Sequence, residues 1–488
     1  RRRRKFDSSR NAVGRTVPRC LPMRLWVWTL VEFVVLAMLA LVRTKLWTYG
    51  SDTGTFAQIV ADAFGGMRDG VEAGSHFRYH WSPSLALLWP LVAVTRSALG
   101  LQLAQAAATA ACAPLVAAIA RPYTDERLAT RLGLLTLLYP PLLALGFDEF
   151  HELGLFTVLL LALFLCADRC RWVGFAVVAI VAIGIREDAA LTLAVFGIVL
   201  LAIASRAGNG RGLLDGSTSA PRQLAVAGAA LAIGSASALA FYYGVVTPRF
   251  GGWAPTHFYV YPFADGPLAL VAAPFVHPLQ FVRAIFTVGR LTYVLEALVP
   301  LAFLPLRSRW ALLALPGAAI VLLANSGYVW RMGDHYAALW IGWLLIASVA
   351  GIASLARAGR ERAARGWLTT ASVICAVFLI AFDPMHPLHY LHPYYHDLAD
   401  ARRAIACVPK DAPFATYDEW FSAVAAQRPN ATIDRTSGLE YLVYAQDFTS
   451  DPNQARLLPA ILQETARGTY RVVCRYGDVL TYEAVHGR

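Results

Sequence analysis

Long apolar runs recur along most of this chain of 488 residues, and short polar segments separate them. Runs of this length cross the hydrocarbon layer of a membrane, which is about 30 Å thick. We therefore predict a polytopic, mainly α-helical membrane protein with about 11 transmembrane helices. The predicted spans lie near residues 25–42, 101–120, 131–147, 153–167, 172–187, 189–205, 223–246, 291–306, 310–325, 336–355 and 367–382.

One further apolar segment runs from Pro83 to Leu99 and carries Pro90 and Arg96 within it. If this segment crossed the membrane, every later loop would change sides and the basic loops would face outward. We predict that it is an interfacial or re-entrant helix, which membranes tolerate where protein covers the backbone.

Basic residues set the expected orientation, because loops rich in Lys and Arg stay in the cytoplasm. The first 24 residues and alternate loops between the spans carry 23 basic residues, against 10 in the opposite loops. We predict a multi-pass protein of the bacterial inner membrane with its amino terminus in the cytoplasm. An odd number of spans then places residues 383–488 outside the cytoplasm.

Beyond residue 383 the long apolar runs stop, and helix-like runs alternate with β-rich runs. The helix-like runs are 398–407 and 453–467, and the β-rich runs are 414–417, 441–444, 470–475 and 479–484. We predict a small extracytoplasmic α/β domain here. The chain thus divides into a cytoplasmic basic tail (1–24), a transmembrane domain (25–382) with a first outer loop at 43–100, and the C-terminal domain (383–488).

Composition supports a membrane protein, since 57% of the residues are hydrophobic and only 15% are charged. The net charge is +11, but residues 383–488 hold 10 basic and 13 acidic residues. The positive charge therefore belongs to the membrane part, where it signals topology, and no nucleic-acid partner is expected. The chain has no GxxxxGK[ST] phosphate loop, and no nucleotide cofactor is expected.

Two cysteines, Cys407 and Cys474, form the only pair in the predicted exported domain. A disulfide is chemically permitted outside the cytoplasm. The sequence leaves open whether their Cα atoms approach closely enough to form one.

Ionisable groups at span ends are the first candidates for function, because such groups are costly in hydrocarbon unless they have a partner or face a wet cavity. Four clusters share one side of the membrane in this arrangement. They are Asp52 with His76 and His80; Asp148, Glu149, His151 and Glu152; Arg186, Glu187 and Asp188; and Arg331, Asp334, His335 and Tyr336. Helix capping or solvation explains each cluster alone, whereas the four together indicate a recessed site for a cation or an acidic headgroup.

Asp52 lies between Gly50 and Gly54, which allow a sharp turn. Ser51, Asp52 or Thr53 is placed to cap a helix that we predict from about residue 55 to residue 64. A carboxylate at this position also suits a general base. Capping and base catalysis are both open interpretations of Asp52.

A metal site is a further interpretation of these clusters. His76, His80 and His151 are potential ligands of a transition metal, but the HExxH pattern of zinc proteases is absent. Carboxylates favour a hard divalent cation such as Mg²⁺ or Mn²⁺.

The same motifs carry a family resemblance. The order is Asp52-x-Gly-x-Phe56, Ser75-His76-Phe77, His80-Trp81-Ser82-Pro83, Phe147-Asp148-Glu149-Phe150-His151-Glu152, Arg186-Glu187-Asp188 and His335-Tyr336. This order resembles a bacterial family of predicted polytopic membrane proteins of unknown function. That family is in turn similar to the GT-C membrane glycosyltransferases. The resemblance covers about residues 45–355, and Thr469–Cys474 with Gly477–Asp478 is similar to the family's ending.

The resemblance implies a GT-C fold with a cytoplasmic amino terminus and an acidic residue in the first outer loop, here Asp52. It also implies a polyprenyl-phosphate-linked sugar as donor, often a divalent cation, and inversion at the anomeric carbon. The expected partners are membrane lipid, this donor, and an acceptor that is a glycan, a lipid or a protein.

Residue roles follow from the chemistry of glycosyl transfer, which needs a base at the acceptor and cations at the departing phosphate. We assign Asp52 as the base. The candidates for donor phosphate binding are Arg186, Arg331, His335 and Tyr336, and those for metal or acceptor binding are Asp148, Glu149, His151, Glu152, His76 and His80. Glu187 and Asp188 belong to the same site without an assigned role.

Two other functions remain open at this point. A lipid or glycolipid transporter would use the same buried charges as a pathway, although the internal repeats typical of carriers are not found. A non-catalytic envelope assembly protein would not depend on the carboxylate of Asp52.

Overall fold

The computed structural model describes residues 21–206, 212–250, 258–381, 385–433, 435–446 and 457–485. Most of the basic tail predicted over residues 1–24 lies outside these residues, as do the domain boundary at 382/383 and the start of the helix predicted at 453.

Twenty α-helices occur among the described residues. From the amino end they are α1 (Met23–Leu46), α2 (Ser51–Ala61), α3 (Trp89–Thr95), α4 (Leu99–Ala120), α5 (Glu126–Leu137), α6 (Pro140–Phe147), α7 (Phe156–Asp168), α8 (Trp172–Ile183), α9 (Glu187–Ala204), α10 (Pro221–Phe241), α11 (Thr247–Arg249), α12 (Pro267–Val276), α13 (Pro278–Ile285), α14 (Val288–Leu298), α15 (Leu315–Leu322), α16 (Ala338–Arg357), α17 (Glu361–Ala381), α18 (Leu398–Ala406), α19 (Asp418–Val424) and α20 (Leu457–Ala466).

Six helical segments of the described chain are long and apolar enough to cross a membrane, and up to eight if each of two bent helix pairs is one span. The six are Met23–Leu46, Leu99–Ala120, Glu187–Ala204, Pro221–Arg249, His335–Arg357 and Glu361–Ala381. The bent pairs are α5 with α6, at 48°, and α12 with α13, at 118°.

This number is smaller than the 11 predicted spans because several predicted spans are short or interrupted helices. The segments predicted at 153–167 and 172–187 contain α7 and α8, which have 13 and 12 residues. The segment at 291–306 is broken after Leu298, where Ala302 and Phe303 adopt the left-handed conformation that ends a helix. The segment Pro83–Thr95, predicted as an interfacial or re-entrant helix and not among the 11 spans, is a short apolar helix.

The centre of the membrane part is α16. In the segment His335–Arg357, which contains this helix, 94% of an apolar stretch of 18 residues is buried by the surrounding protein. Neighbouring helices cover it on all sides, with buried Trp343 and Ile346 facing the same core as Leu160 of α7 and Phe196 of α9. A helix that is apolar all round is stable where protein or lipid covers it, and protein covers α16.

The C-terminal region contains a mixed five-stranded sheet. Its strands are β5 (Phe414–Thr416), β6 (Ala431–Ile433), β7 (Tyr441–Ala445), β8 (Tyr470–Tyr476) and β9 (Val479–Ala484), in the spatial order β6-β5-β7-β9-β8. Strand β5 is parallel to β6 and β7, whereas β9 is antiparallel to β7 and β8. Two small antiparallel pairs lie elsewhere: β1 (Arg68–Asp69) with β2 (Gly74–Ser75), and β3 (Val260–Tyr261) with β4 (Ala264–Asp265).

A disulfide joins Cys407, directly after α18, to Cys474 in β8, with a Cα–Cα distance of 6.5 Å. It ties a helix that packs on the sheet to an edge strand of that sheet.

Candidate active site

The site is built around the first turn of α2, which carries Asp52. This helix begins at Ser51, four residues earlier than the sequence predicted, and no side chain of its own caps it. The carboxylate of Glu149 accepts hydrogen bonds from the backbone N–H groups of Gly50 (3.0 Å) and Thr53 (3.1 Å) instead. The cap thus comes from a distant segment, and Asp52 is left without a capping role.

Gly50 is required at this position by close approach. A Cβ atom added to Gly50 would collide with Oε1 of Glu149. The absence of a side chain lets the carboxylate reach the exposed N–H groups of the helix.

The segment that follows α6 is held in place by Gln105 of α4. Its amide nitrogen donates to the carbonyls of Asp148 (3.3 Å) and Glu149 (3.2 Å). Its amide oxygen accepts from the backbone N–H of His151 at 3.2 Å. Since Gln105 is buried, this segment has one fixed position beside α2.

Arg186 lies at the centre of a buried acidic group. Its guanidinium nitrogens are 3.5 Å from Glu152, 4.0 Å from Glu187 and 3.1 Å from Asp188. Burial alone would lower the pKa of Arg186, but Asp188 and Glu152 raise it. The guanidinium also lies 5.4 Å from the centre of the Tyr336 ring.

His80 is the partner of Glu187. Its Nδ1 lies 2.7 Å from one carboxylate oxygen of Glu187, and the other oxygen accepts from the backbone N–H of Trp81 at 2.8 Å. Burial and the charge of Arg186 lower the pKa of His80 to about 3, so the ring is neutral and donates its Nδ1 hydrogen. The ring of His76 lies 5.6 Å from that of His80.

Two imidazoles from separate clusters stack on each other. The ring centres of His151 and His335 are 3.2 Å apart with planes 8° from parallel. Nδ1 of His151 is also 2.8 Å from a carboxylate oxygen of Glu152, whose side chain is fully buried. Burial and Arg186 hold the pKa of His151 well below its ordinary value, so His151 is neutral.

The Asp52 side chain remains accessible to solvent in a recess that protein surrounds. Desolvation by these walls, followed by the negative charges of Glu149 and Glu152, raises the pKa of Asp52 to about 7. Burial also raises the pKa of Asp334 to about 6, although the charge of Arg331 opposes this shift. The recess therefore contains a carboxylate that is partly protonated near neutral pH.

A cavity of about 640 Å³ adjoins this recess, and we call it the arginine cavity. Its polar part is lined by Arg43, Arg331, Asp148, Asp334 and Glu296. Its apolar part includes Tyr293 of α14, Met332 and Phe378 of α17. One cavity thus offers two guanidinium groups and an apolar wall between helices of the membrane part.

Arg43 is the site residue that the sequence did not identify. Its guanidinium is buried, donates to the carbonyls of Phe147 (2.6 Å) and Thr48 (3.0 Å), and lies 4.0 Å and 4.2 Å from the ring centres of Tyr49 and Tyr390. No described carboxylate lies within ion-pair distance of Arg43 or Arg331. In the sequence, an arginine at the end of a span is typical of a topology signal. Only the structure shows the aromatic cage, formed by Tyr49 and Tyr390, that distinguishes Arg43 from such a signal.

A second, smaller cavity of about 160 Å³ lies on the side of Arg186. Glu72, His80, Asp188 and Tyr336 line it together with Arg186. The four predicted clusters therefore lie in one region of the molecule, around the two cavities and the Asp52 recess.

The described residues offer no ligand set for the divalent cation that the resemblance implies. No three His, Cys, Asp or Glu side chains of the described residues are arranged to hold a metal ion. Three of the carboxylates already have partners: Glu149 binds backbone N–H groups, Glu187 binds His80 and Trp81, and Asp188 pairs with Arg186. The described residues thus contain no ready-made three-ligand set for a resident cation.

The fold is similar to that of solved membrane enzymes. ArnT from Cupriavidus metallidurans bound to undecaprenyl phosphate matches with a TM-score of 0.50 at 13% identity, over 94% of this chain and 98% of that one. Its apo form matches with a TM-score of 0.51 at 13% identity, over 95% and 98%. An oligosaccharyltransferase from Archaeoglobus fulgidus matches at 0.39 and 12% identity, over 83% and 64%.

These identities are low, so the likeness concerns the fold. It confirms the prediction of a mainly helical, GT-C-like membrane protein with a small C-terminal α/β region. No curated protein matches this chain. A family model described as a predicted membrane protein matches residues 44–458, and the chain belongs to this family, DUF2079.

Proposed function

We propose that this protein is a glycosyltransferase that moves a sugar from a polyprenyl-phosphate donor to an acceptor hydroxyl at the outer face of the bacterial inner membrane. One observation carries this proposal. A solvent-accessible carboxylate with a pKa of about 7, Asp52, interacts with Asp334 of a cavity that holds two arginines and an apolar wall. Base, phosphate ligands and lipid surface are thus adjacent.

The donor phosphate binds in the arginine cavity, at Arg43 and Arg331. Both guanidinium groups line the cavity and neither has a described carboxylate within ion-pair distance, so their charge is available to a phosphate. The lipid chain follows the apolar wall toward Tyr293 and Phe378. The undecaprenyl phosphate bound to ArnT, whose fold is similar, supports a ligand of this class.

Arg186 is a weaker candidate for the donor phosphate than the sequence indicated. Three carboxylates lie within 4.0 Å of its guanidinium nitrogens and already pair with its charge, whereas no described carboxylate lies within ion-pair distance of Arg43 or Arg331. We assign Arg186 to holding Glu152 and Asp188 in place beside the site.

Asp52 acts as the base. Its carboxylate takes the proton of the acceptor hydroxyl as the hydroxyl oxygen attacks the anomeric carbon. The bond between that carbon and the phosphate oxygen breaks, its electron pair stays on the phosphate, and Arg43 and Arg331 stabilise the added charge. Attack opposite the departing phosphate inverts the anomeric carbon. No proton donor is required, since a phosphate is already a competent leaving group.

The acceptor is a glycan, a lipid or a protein that presents a hydroxyl to the Asp52 recess. The positive-inside distribution of basic residues supports placing this recess and the C-terminal domain outside the cytoplasm.

The test is transfer by purified protein in lipid nanodiscs with radiolabelled polyprenyl-phosphate sugars and envelope extracts as acceptors. We expect Asp52→Asn to reduce transfer on the order of 10²–10⁴-fold, the usual contribution of a general base. Asp62→Asn is the matched control, because Asp62 follows the other end of the same helix and pairs with exposed Arg68. Full transfer by Asp52→Asn would refute the proposal.

A further inference from the structure

The helix α2 is held from two sides by different parts of the chain. Glu149 binds its first turn from the membrane part. The body of the helix packs against the C-terminal domain, where Phe56 and Ile59 share one hydrophobic cluster with Trp420 and Phe421. A helix moves as a rigid unit over this length, so its far end and its first turn are coupled.

Gln58 makes the polar connection between α2 and the C-terminal domain. Its side chain is 2% exposed, and its amide nitrogen donates to the carbonyls of Arg428 (2.8 Å) and Ala431 (3.1 Å). Its amide oxygen accepts from the backbone N–H of Gly70 at 2.8 Å. The carbonyl of Gly70 in turn accepts from the Thr432 hydroxyl at 2.7 Å.

Gly54 allows the closest approach of the two parts. A Cβ atom placed on Gly54 would lie 2.6 Å from a ring carbon of Phe421 and 2.8 Å from the Cα of Ser422. The backbone of α19 therefore lies directly against α2, two residues from Asp52. Any added side chain would have to push the helix or the domain away.

We propose that the C-terminal domain is a clamp on α2, and that Gln58 and Gly54 are positioning residues for Asp52. The domain thereby takes part in the reaction without contacting the reacting atoms. The catalytic consequence rests on the proposed function, whereas the mechanical coupling does not.

The physical reason is that the proton affinity of Asp52 depends on its distances from Glu149 and from the walls of the recess. Glu149 and the recess walls act on Asp52 only if α2 keeps its place, because charge interactions and desolvation change over a few ångströms. Gln58 lies about 9 Å further along the helix axis, at a rise of about 1.5 Å per residue. Loss of its three hydrogen bonds lets the helix shift relative to Glu149.

The test uses a reporter that needs no substrate. In an Asp52→Cys protein, the pH dependence of thiol alkylation reports the environment at position 52. We expect Gln58→Ala in this background to change the alkylation rate at pH 7 by about threefold or more, the effect of half a pKa unit. Gly54→Ala provides a second variant with a steric rather than a polar change.

Gln427→Ala is the matched control. Gln427 also connects the C-terminal domain to the rest of the chain, but its side-chain amide donates to the carbonyl of Arg96 at 2.9 Å and not to α2. It should leave the alkylation profile unchanged. If Gln58→Ala and Gly54→Ala both gave the profile of the control while the protein stayed folded, the clamp would be refuted.

The two proposals are separated by transfer assays in which the same substitutions are made in the protein that keeps Asp52. We expect Gln58→Ala to lower kcat with little change in the KM of the donor and to displace the pH profile, whereas a general loss of folded protein would scale the rate without displacing the profile. A changed alkylation profile, together with no transferase activity in the parent protein that keeps Asp52, would support the clamp and contradict the proposed function.

Discussion

Glu149 caps the helix that carries Asp52, and the same carboxylate raises the pKa of Asp52 by its negative charge. One side chain therefore fixes both the position and the proton affinity of the proposed base. The sequence assigned Glu149 to metal or acceptor binding, whereas in the structure Glu149 acts on Asp52. Several predictions depend on this relationship and on the two arginines of the cavity.

Glu149→Gln removes the negative charge and keeps one of the two oxygens that cap α2. The pKa of Asp52 should fall below 7, because a repulsive charge no longer opposes its ionisation. A base works when deprotonated, so transfer should persist to lower pH than in the parent protein. The acidic limb of the kcat profile is the measurement, and an unchanged limb would show that Glu149 does not influence the base.

Arg331→Ala should weaken the binding of undecaprenyl phosphate. A hydrogen bond between charged groups contributes about 1.5–3 kcal/mol, so the expected loss is about tenfold or more in Kd. Because Arg331 is exposed, its removal should leave the unfolding temperature unchanged. Arg68→Ala, which removes another exposed arginine far from the cavity, is the control; equal binding by both variants would place the phosphate elsewhere.

Arg186→Leu should unfold more easily than the parent. It leaves Glu152, Glu187 and Asp188 buried without their cation, and breaking a buried ion pair in this way costs about 3–5 kcal/mol. Thermal unfolding in detergent measures the effect. A melting temperature equal to that of Arg331→Ala would contradict the structural role assigned to Arg186.

EDTA should leave transfer intact. Glu149, Glu187 and Asp188 are engaged by backbone N–H groups, His80 and Arg186, and the described residues offer no three-ligand set. Initial rates with and without EDTA, followed by addition of Mg²⁺ or Mn²⁺, measure this. Loss of activity that Mg²⁺ restores would show that a cation joins the site together with the substrate.

Much of the fold was accessible from the sequence because long apolar runs are strong signals. Helix ends were less accessible, as the break at Ala302 and Phe303 shows, since apolar residues that adopt a left-handed conformation leave no mark on hydropathy. Strand β6 was missed because three residues, Ala431–Ile433, are too few to show alternation. Helix α19 was missed because it has only seven residues.

The sequence indicated which residues belong to the candidate site, but it did not predict the contacts between them. The motifs around Asp52 and Asp148 indicated residues that the structure brings together, because carboxylates and imidazoles cluster at span ends on one predicted side of the membrane. The cap from Glu149 to Gly50 joins residues 99 positions apart, and no local pattern indicates it. Arg43 was missed for the same reason, since Tyr390 of its cage lies more than 300 residues further along the chain.

The most direct test of the central claim is the rate of a single turnover of transfer between pH 5 and pH 9, in the parent protein and in Asp52→Asn, with donor binding measured in parallel. We expect the parent rate to rise with an apparent pKa near 7. Asp52→Asn should bind the donor equally well, turn over at least about a hundredfold more slowly above pH 7, and lose the rise of the rate near pH 7. A variant that binds the donor and transfers at the parent rate would show that Asp52 is not the base.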